Sequence, residues 1–172
     1  MKKYLVFGLS FLGMIFLTFG GYETVKTINT IQYLDLIREV KRRYGFEHVP
    51  DSLTLATIET ESSFNPNAIR EEPAINDASY GLMQILYGTA KGEGYTGLPL
   101  GLLDPEENIR RGTSYQARLF RMYGDWDAVI HAYNEGPGNY NKGKRVPTYY
   151  GRVVGRMAKW DILISSQGEI SV

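Results

Sequence analysis

Cap and turn signals divide this chain into short helices, and this punctuation limits the folds that are open to it. The Asp-Pro-Glu-Glu segment at 104–107 is a strong helix start: the aspartate caps, the proline takes the first helical position, and the second glutamate lies three residues after the cap. Apolar residues then recur at helical spacing as far as Gly124, and Asp125 starts a shorter helix of about residues 126–133. Strand patterns are scarce. The sequence therefore predicts a mainly α-helical domain.

The rest of the chain is read by the same signals. Apolar side chains recur every three or four residues before Gly45, and Asn-Pro at 65–66 interrupts a second apolar segment. The predicted elements are a helix over about 27–44, a helix from an N-cap at Asp51 or Ser52 to about Ser63, a loop over 65–79, a short helix around 82–86, a loop over 91–103, a helix end at Gly136-Pro137-Gly138 and a last helix over about 148–163.

An apolar leader precedes these elements. Lys2 and Lys3 are followed by Tyr4 to Tyr22, which contains no charged residue and is most apolar as far as Phe19. A positive start before an apolar run is typical of a secretory signal, and the run is near the lower length limit for a membrane span. A cleaved signal and a retained inner-membrane anchor both fit, whereas its glycines and the lack of a polar face oppose a buried core helix. Either favoured interpretation exports the chain from about residue 23 onward to the periplasm or cell envelope.

Composition excludes several classes of function. The formal net charge of +0 gives no basic excess for a nucleic-acid partner. The chain has no cysteine, so disulfides, thiol nucleophiles and cysteine metal sites are excluded. His48 and His131 lie far apart and outside any HExxH pattern, so we interpret both as structural or surface residues and expect neither a metal nor an organic cofactor.

Two glutamates compete for the role of a catalytic acid. Glu59 and Glu61 are two residues apart, so on a helix they point about 200° apart and only one can face a given cleft. A carboxyl group in a partly apolar pocket can have its pKa raised enough to act as a general acid. Glu61 is the last carboxylate before the helix breaks, but residue types alone do not choose between Glu61 in a cleft and Glu61 as a solvated helix end.

The segment Tyr-Asn-Glu-Gly-Pro-Gly at 133–138 is a second candidate feature. Such a rigid turn could present the Tyr133 hydroxyl and the Asn134 amide to a ligand. It could equally be a helix C-cap with Asn134 in a left-handed conformation. Both interpretations stay open on residue types. The 13 tyrosines would suit a sugar-binding groove, although most tyrosines fill cores and surfaces.

Taken in order, five fragments resemble the soluble lytic transglycosylase (SLT) family, which shares a lysozyme-like fold with goose-type lysozyme. The resemblance covers about residues 30–155. The fragments are Glu61-Ser62-Ser63-Phe64-Asn65-Pro66, Tyr80-Gly81-Leu82-Met83-Gln84-Ile85, Asp104-Pro105 with Asn108-Ile109 and Gly112, Tyr123-Gly124-Asp125-Trp126, and Ala132-Tyr133-Asn134-Glu135-Gly136-Pro137-Gly138. It implies a lysozyme-like helical domain at 47–172, a leading helix of that domain at 23–46, and the signal or anchor at 1–22.

The resemblance also implies roles for particular residues. Glu61 would be the catalytic acid/base and Glu59 a bystander. Ser62 would help hold the helix end, Met83 and Gln84 would contact the glycan, and the pair at 133–134 would lie across from the glutamate. The implied substrate-binding residues are Ser62, Gly81, Met83, Gln84, Tyr133 and Asn134.

The implied activity is cleavage of the β-1,4 bond between N-acetylmuramic acid and N-acetylglucosamine in peptidoglycan, with formation of 1,6-anhydro-N-acetylmuramic acid. The usual glycosidase scheme needs a second carboxylate. Asp77, Asp104, Asp125 and Glu135 are available, but two of them resemble caps. The alternatives are a hydrolytic muramidase similar to goose-type lysozyme and a non-catalytic peptidoglycan-binding assembly protein. The expected partners are glycan strands, with membrane association through the N-terminus left open.

Overall fold

The computed structural model describes the backbone of residues 21–168 and the side chains of residues 33–166. The apolar run from Tyr4 to Phe19, which predicts a signal or anchor, lies outside the described residues. Among the helices of the described part, none is long and apolar enough to cross a bilayer.

Helices dominate the described part, which confirms the prediction of a mainly α-helical domain. The helices are α1 (Gly21–Tyr44), α2 (Asp51–Glu61), α3 (Tyr87–Gly92), α4 (Pro105–Tyr123), α5 (Trp126–Glu135), α6 (Pro137–Asn141) and α7 (Pro147–Gly168). Single 3-10 turns cover Pro73–Ile75 and Pro99–Leu103. A small antiparallel sheet has the order β1 (Ile69–Glu72), β2 (Asp77–Tyr80), β3 (Ile85–Leu86).

The predicted caps of α4 and α5 are confirmed. The Asp104 side chain accepts the Glu107 backbone N–H at 2.9 Å, and Gly124 ends α4 in a left-handed conformation at φ +67°. Asp125 accepts the N–H groups of Asp127 and Ala128 at 3.3 and 3.2 Å. These bonds satisfy backbone donors that the first turn of a helix leaves unpaired.

Helix α2 lies at the centre of the molecule. Leu53, Leu55 and Ile58 point in different directions from it, and each is at most 1% exposed. A helix that is apolar on most sides must be surrounded, and α2 packs against α7 and α1. The core holds the C-terminal end of α2 in place, where the chain leaves the interior for the surface.

The start of α2 differs from the prediction. Neither Asp51 nor Ser52 caps it, because Pro50 occupies the N-cap position and the helix begins at Asp51 without a side-chain cap bond. The Asp51 carboxylate instead accepts Lys41 Nζ at 2.8 Å and Arg38 Nε at 2.9 Å. Lys41 is 2% exposed, and a buried ammonium without a carboxylate partner costs more free energy than a helix start without a side-chain cap.

Residues 65–90 also differ from the prediction. The segment interpreted as a loop over 65–79 contains β1 and β2, which pair from Ile69 with Tyr80 to Glu72 with Asp77. The helix predicted around 82–86 is a turn followed by β3. A four-residue strand such as Ile-Arg-Glu-Glu has no alternating pattern, and its pairing comes from tertiary contacts instead.

Candidate active site

Glu61 is the last residue of α2, and the chain turns sharply after it. Ser62 caps the helix with its backbone N–H and its Oγ both donated to the Ile58 carbonyl at 3.1 Å. Ser63 and Phe64 then adopt positive φ values of 53° and 65°. Non-glycine residues rarely adopt this conformation, and it re-aims the backbone so that the Glu61 side chain is left at the edge of the core.

The Glu61 side chain lines a cleft with a volume of about 370 Å³. The β1–β2 hairpin (residues 69–80) forms one side of it, and the end of α5 with the start of α6 forms another. The lining residues are Glu61, Arg70, Glu72, Ile75, Gln84, Ile85, Leu86, Thr89, Tyr115, Arg118, Tyr133, Asn134, Glu135, Gly136 and Pro137. The cleft therefore combines carboxyl, guanidinium, amide and phenol groups with apolar walls.

The environment of Glu61 raises its pKa above the ordinary value for a glutamate. The main cause is burial, which disfavours the charged form. A hydrogen bond from the Tyr149 hydroxyl to Glu61 Oε1, 2.7 Å long, acts in the opposite direction, as do the charges of Arg70 and Arg152. Burial outweighs these groups, so Glu61 keeps its proton to a higher pH than an exposed glutamate does.

Two phenol groups accompany this carboxyl group, Tyr149 buried and Tyr133 half-buried. Tyr149 is 4% exposed, and burial followed by the Glu61 charge raises its pKa well above the ordinary value. Burial and the Glu61 charge likewise raise the pKa of Tyr133, which donates its hydroxyl to the Met83 carbonyl at 2.9 Å. Both tyrosines therefore remain neutral hydrogen-bond donors beside a group that can gain or lose a proton.

Of the residues predicted to bind substrate, Gln84, Tyr133 and Asn134 line the cleft with Glu61. Asn134 is exposed within α5, and Gly136, with φ +75°, occupies the C-cap, so the interpretation of Asn134 as a left-handed cap is wrong. The Gln84 amide donates to the carbonyls of Ala68 and Gly81 at 3.0 and 2.9 Å, which ties the hairpin to the following turn.

The predicted contact between Met83 and a glycan is not one that its side chain can make in this structure. This side chain is 0% exposed and packs tightly over Gly112 of α4. Only the Met83 carbonyl approaches the site, through the Tyr133 hydroxyl. A methionine at this position fills the core because a glycine opposite leaves space for its sulfur.

Gly81 and Ser62, also predicted to bind substrate, do not line the cleft. Gly81 has φ +71°, and a Cβ there would collide with the Asn108 side chain and the Leu102 carbonyl. Its backbone conformation and the close approach of Asn108 both require glycine. Both residues thus shape the backbone around the cleft, and for Ser62 this fits the helix-end role that the resemblance implies.

Glu59 lies outside the cleft lining. Its carboxylate accepts Trp160 Nε1 at 3.0 Å and pairs with Lys159 Nζ at 3.3 Å, both on α7. The 200° separation between the two glutamates therefore puts one of them on the cleft and the other against a neighbouring helix.

Several residues that line the cleft are absent from the sequence prediction, as is Tyr149, which contacts Glu61 without lining the cleft. Tyr149 is 88 residues from Glu61, and no local pattern connects the two. Tyr115 and Arg118 are three residues apart on α4, so their shared face is a signal that helical spacing could have provided. Arg70 and Glu72 belong to the unpredicted hairpin.

Two carboxyl groups besides Glu61 line the cleft. They are Glu72, which pairs with Arg70 at 2.6 Å, and Glu135. Asp77, in contrast, accepts the backbone N–H groups of Ala78 and Gly88 at 2.7 and 2.9 Å and is held as a structural group. In the part of the chain that the structure describes, histidines and carboxylates form no cluster of three suited to a metal ion.

Known proteins share this arrangement of helices. Residues 36–149 match the model of the family described as the transglycosylase SLT domain. The chain is similar to the 70 kDa soluble lytic transglycosylase of Escherichia coli, with 34% identity and a TM-score of 0.52 over 72% of this chain and 19% of that one. For the complex of a 70 kDa soluble lytic transglycosylase with bulgecin A, the values are 31% identity and a TM-score of 0.55 over 78% of this chain and 21% of that one.

An inactive glutamate-to-glutamine mutant of the lytic transglycosylase Slt from Pseudomonas aeruginosa is also similar. Its identity is 27% and its TM-score 0.52, over 69% of this chain and 20% of that chain. The present chain thus corresponds to about a fifth of the length of each of these proteins.

Proposed function

Because the chain belongs to the transglycosylase SLT domain family, we propose that it is a lytic transglycosylase that cleaves the β-1,4 bond between N-acetylmuramic acid and N-acetylglucosamine in peptidoglycan. The observation that carries this proposal is the carboxyl group of Glu61, whose pKa is raised, at the edge of a cleft and beside the neutral phenols of Tyr133 and Tyr149. In the Pseudomonas relative one glutamate-to-glutamine change accompanies inactivity, which supports a role for one glutamate here.

In the proposed reaction Glu61 acts first as an acid. Its raised pKa keeps a proton available, and this proton moves to the leaving glycosidic oxygen as the C1–O4 bond breaks and an oxocarbenium-like state develops. The N-acetyl group of the substrate stabilises the cation. No metal or organic cofactor takes part in this scheme.

Glu61 then acts as a base. Its carboxylate takes the proton of the muramic acid's own 6-hydroxyl, whose oxygen bonds to C1 and closes the 1,6-anhydro ring. The Tyr149 hydroxyl donates to Glu61 Oε1 and so stabilises the ionised carboxylate that this second step requires. Glu61 ends the cycle protonated, as it began.

Gln84, Tyr133 and Asn134 are proposed to position the glycan. Asn134 is the most exposed of the three, so its amide can hydrogen-bond an N-acetyl group without breaking an internal contact. Tyr133 and Gln84 already bond internally and would act by fixing the walls of the cleft. Asn134→Ala should therefore weaken substrate binding more than it lowers the free energy of unfolding.

A hydrolytic muramidase is the second candidate, favoured by the presence of Glu72 and Glu135 in the cleft. Either carboxylate would activate a water for attack on C1, as in two-carboxylate glycosidases. The hydrolase requires one of them, so its wild type would release fragments with reducing ends, and Glu72→Gln or Glu135→Gln would abolish cleavage. The transglycosylase mechanism predicts that both variants still release anhydro products.

The deciding experiment is mass spectrometry of the fragments released from sacculi. We expect 1,6-anhydromuropeptides from the wild type and a loss of about a hundredfold or more in their release by Glu61→Gln, because a positioned general acid/base contributes at least that much. Glu59→Gln is the matched control on the same helix and should retain activity. Full activity of Glu61→Gln would reject the assignment, and sacculus binding without fragment release would make the chain a binding module.

The proposed location is the periplasm or cell envelope, to which the apolar leader would direct the chain. N-terminal sequencing of the mature protein distinguishes the two forms: a start near residue 23 identifies a cleaved signal, and a start at Met1 or Lys2 identifies a retained anchor. Accumulation of the protein in the cytoplasm would contradict export.

A further inference from the structure

Two guanidinium groups line the cleft, and the carboxylates that pair with their positive charges lie in different places. Arg70 pairs at 2.6 Å with Glu72, which also lines the cleft, so positive and negative charge lie together on that wall. Arg118 pairs at 2.5 Å with Glu93, which does not line the cleft and whose side chain is 5% exposed. The Arg118 side chain is 38% exposed, so the partner that reaches the cleft surface is the cation.

Arg118 is also held in a defined orientation. Glu93 fixes its Nε, and the second oxygen of Glu93 accepts the Ser114 hydroxyl at 2.7 Å. The guanidinium lies over the Tyr115 ring, 4.9 Å from its centroid. Within the described residues, the terminal nitrogens hydrogen-bond only to Met122 Sδ, at 3.9 Å from Nη1. Their outer edge thus remains available as the planar fork that binds a carboxylate with two hydrogen bonds.

A row of aromatic rings connects Arg118 to the reacting end of the cleft. The Tyr115 ring packs on Tyr133 with centroids 5.2 Å apart, and Tyr133 is close enough to Glu61 for the carboxylate charge to raise its pKa. Tyr115, Arg118 and Tyr133 all line the same cleft. A glycan whose scissile bond lies at Glu61 would therefore extend along this wall towards the guanidinium.

We propose that Arg118 determines specificity by binding a carboxylate of the substrate, so that the cleft prefers glycan strands that carry carboxyl groups to neutral strands of the same length. The inference rests on the proposed function, since it deepens the substrate class of the same site. The carboxylate comes either from a stem peptide or, where that peptide has been removed, from the lactyl group of muramic acid. Both present the planar anion that the Arg118 fork fits.

The test compares three forms of the same soluble strands. One form carries stem peptides, the second is treated with an amidase so that only lactyl carboxylates remain, and in the third the carboxyl groups of peptide-bearing strands are converted to amides with carbodiimide and ammonia. Wild type, Arg118→Gln, Arg118→Lys and Arg121→Gln are assayed on each. Arg121 is the matched control, because it is an exposed arginine on the same helix that does not line the cleft.

We expect Arg118→Gln to raise KM roughly tenfold on carboxylate-bearing strands while kcat stays near the wild-type value, because one charge-assisted contact is lost on binding. Arg118→Lys keeps the charge but not the fork, so its KM should lie between those of wild type and Arg118→Gln. On amidated strands wild type and Arg118→Gln should agree, and Arg121→Gln should match wild type on every form. The form with the larger rise in KM identifies the source of the carboxylate.

An equal rise in KM on amidated strands, or no rise on either carboxylate-bearing form, would overturn the proposal. If Arg118 had a purely structural role, its replacement would raise KM alike on all three substrates. The ratio of the KM values on the three substrates therefore distinguishes that case. Dissociation constants of Glu61→Gln with and without Arg118→Gln, measured by sedimentation with the same strands, need no turnover. If the wild type releases no fragment, the proposed function fails while these constants still test Arg118.

Discussion

At the scale of single residues, the site depends on one carboxyl group whose charge is disfavoured. Burial raises the pKa of Glu61, and one hydrogen bond from Tyr149 partly opposes this shift. Such a balance suits the proposed role of Glu61, in which it gives up a proton and then recovers one. It also carries a cost, since a buried ionised carboxylate weakens the fold that contains it.

Replacing Glu61 with glutamine should therefore stabilise the protein at neutral pH. Because the pKa of Glu61 is raised in the folded state, this group contributes folding stability below its pKa in the unfolded chain, about 4.3. That contribution is lost as the pH rises through the pKa of the folded state. Glutamine does not ionise but can still accept the Tyr149 hydrogen bond. Urea unfolding should show the variant to be more stable at about pH 8, with the difference closing at about pH 4. A difference that does not change with pH would contradict the raised pKa.

Replacing Tyr149 with phenylalanine should raise the pKa of Glu61 further. The 2.7 Å bond favours the ionised carboxylate, so its loss favours the protonated form. The alkaline limb of kcat/KM against pH should move to higher pH, and the carboxyl 13C shift of Glu61 should titrate later, a readout that does not require activity. Tyr150→Phe is the control, because that ring stacks on His131 instead. An unchanged Glu61 titration would exclude this role.

At the scale of helices and strands, a local cap fixes the start of one wall of the cleft. Helix α4 carries Tyr115 and Arg118, and its first turn depends on the 2.9 Å bond from the Glu107 N–H to Asp104. The hairpin wall depends instead on tertiary contacts, since Gln84 ties it to the turn at Gly81. The walls are thus stabilised by different kinds of interaction.

Removing the α4 cap should cost about 1 kcal/mol, which lowers Tm by about 3 °C for a domain of this size. The change is Asp104→Ala, and the physical reason is a first-turn N–H left without its acceptor. Thermal unfolding followed by circular dichroism measures it. Asp104→Asn is the control, because asparagine caps as well as aspartate. Equal losses in both variants would assign the effect to charge and not to capping.

At the scale of the whole molecule, a partly buried ion pair connects α1 to α2, the helix that carries Glu61. Lys41 Nζ donates to Asp51 Oδ1 and to the Val49 carbonyl, both at 2.8 Å. Burial acts to raise the pKa of Asp51, but the hydrogen bond and charge of Lys41, together with Arg38, outweigh it and lower that pKa. Burial meanwhile lowers the pKa of Lys41, against the opposing effect of Asp51.

Asp51→Asn should destabilise the fold by about 2–3 kcal/mol at neutral pH, because it leaves the Lys41 ammonium buried without its anion. This is below the cost for a fully buried pair, since the Asp51 side chain is 25% exposed. A lowered folded pKa gives stability that is present above about pH 4 and lost as the pH falls through that pKa. Denaturant titrations should therefore show the two proteins converging in acid.

The control for this prediction is Asp35→Asn, which removes the same charge at an exposed position of α1. Its effect should stay within about 0.5 kcal/mol. If Asp51→Asn cost no more than this control, the pair would not contribute to holding α1 on α2.

The amino-acid sequence by itself determined the five longer helices (α1, α2, α4, α5 and α7) and the caps at Asp104 and Asp125, and its resemblance to the SLT family selected Glu61 as the candidate acid. Helix caps and helical spacing act within about four residues, so they are visible along the chain. Tertiary structure alone decided that Tyr149 contacts Glu61, that residues 69–72 pair with residues 77–80 as strands, and that the Met83 side chain points into the core. Those outcomes depend on which distant segments pack together, and the free energy of that packing is not encoded in any local pattern.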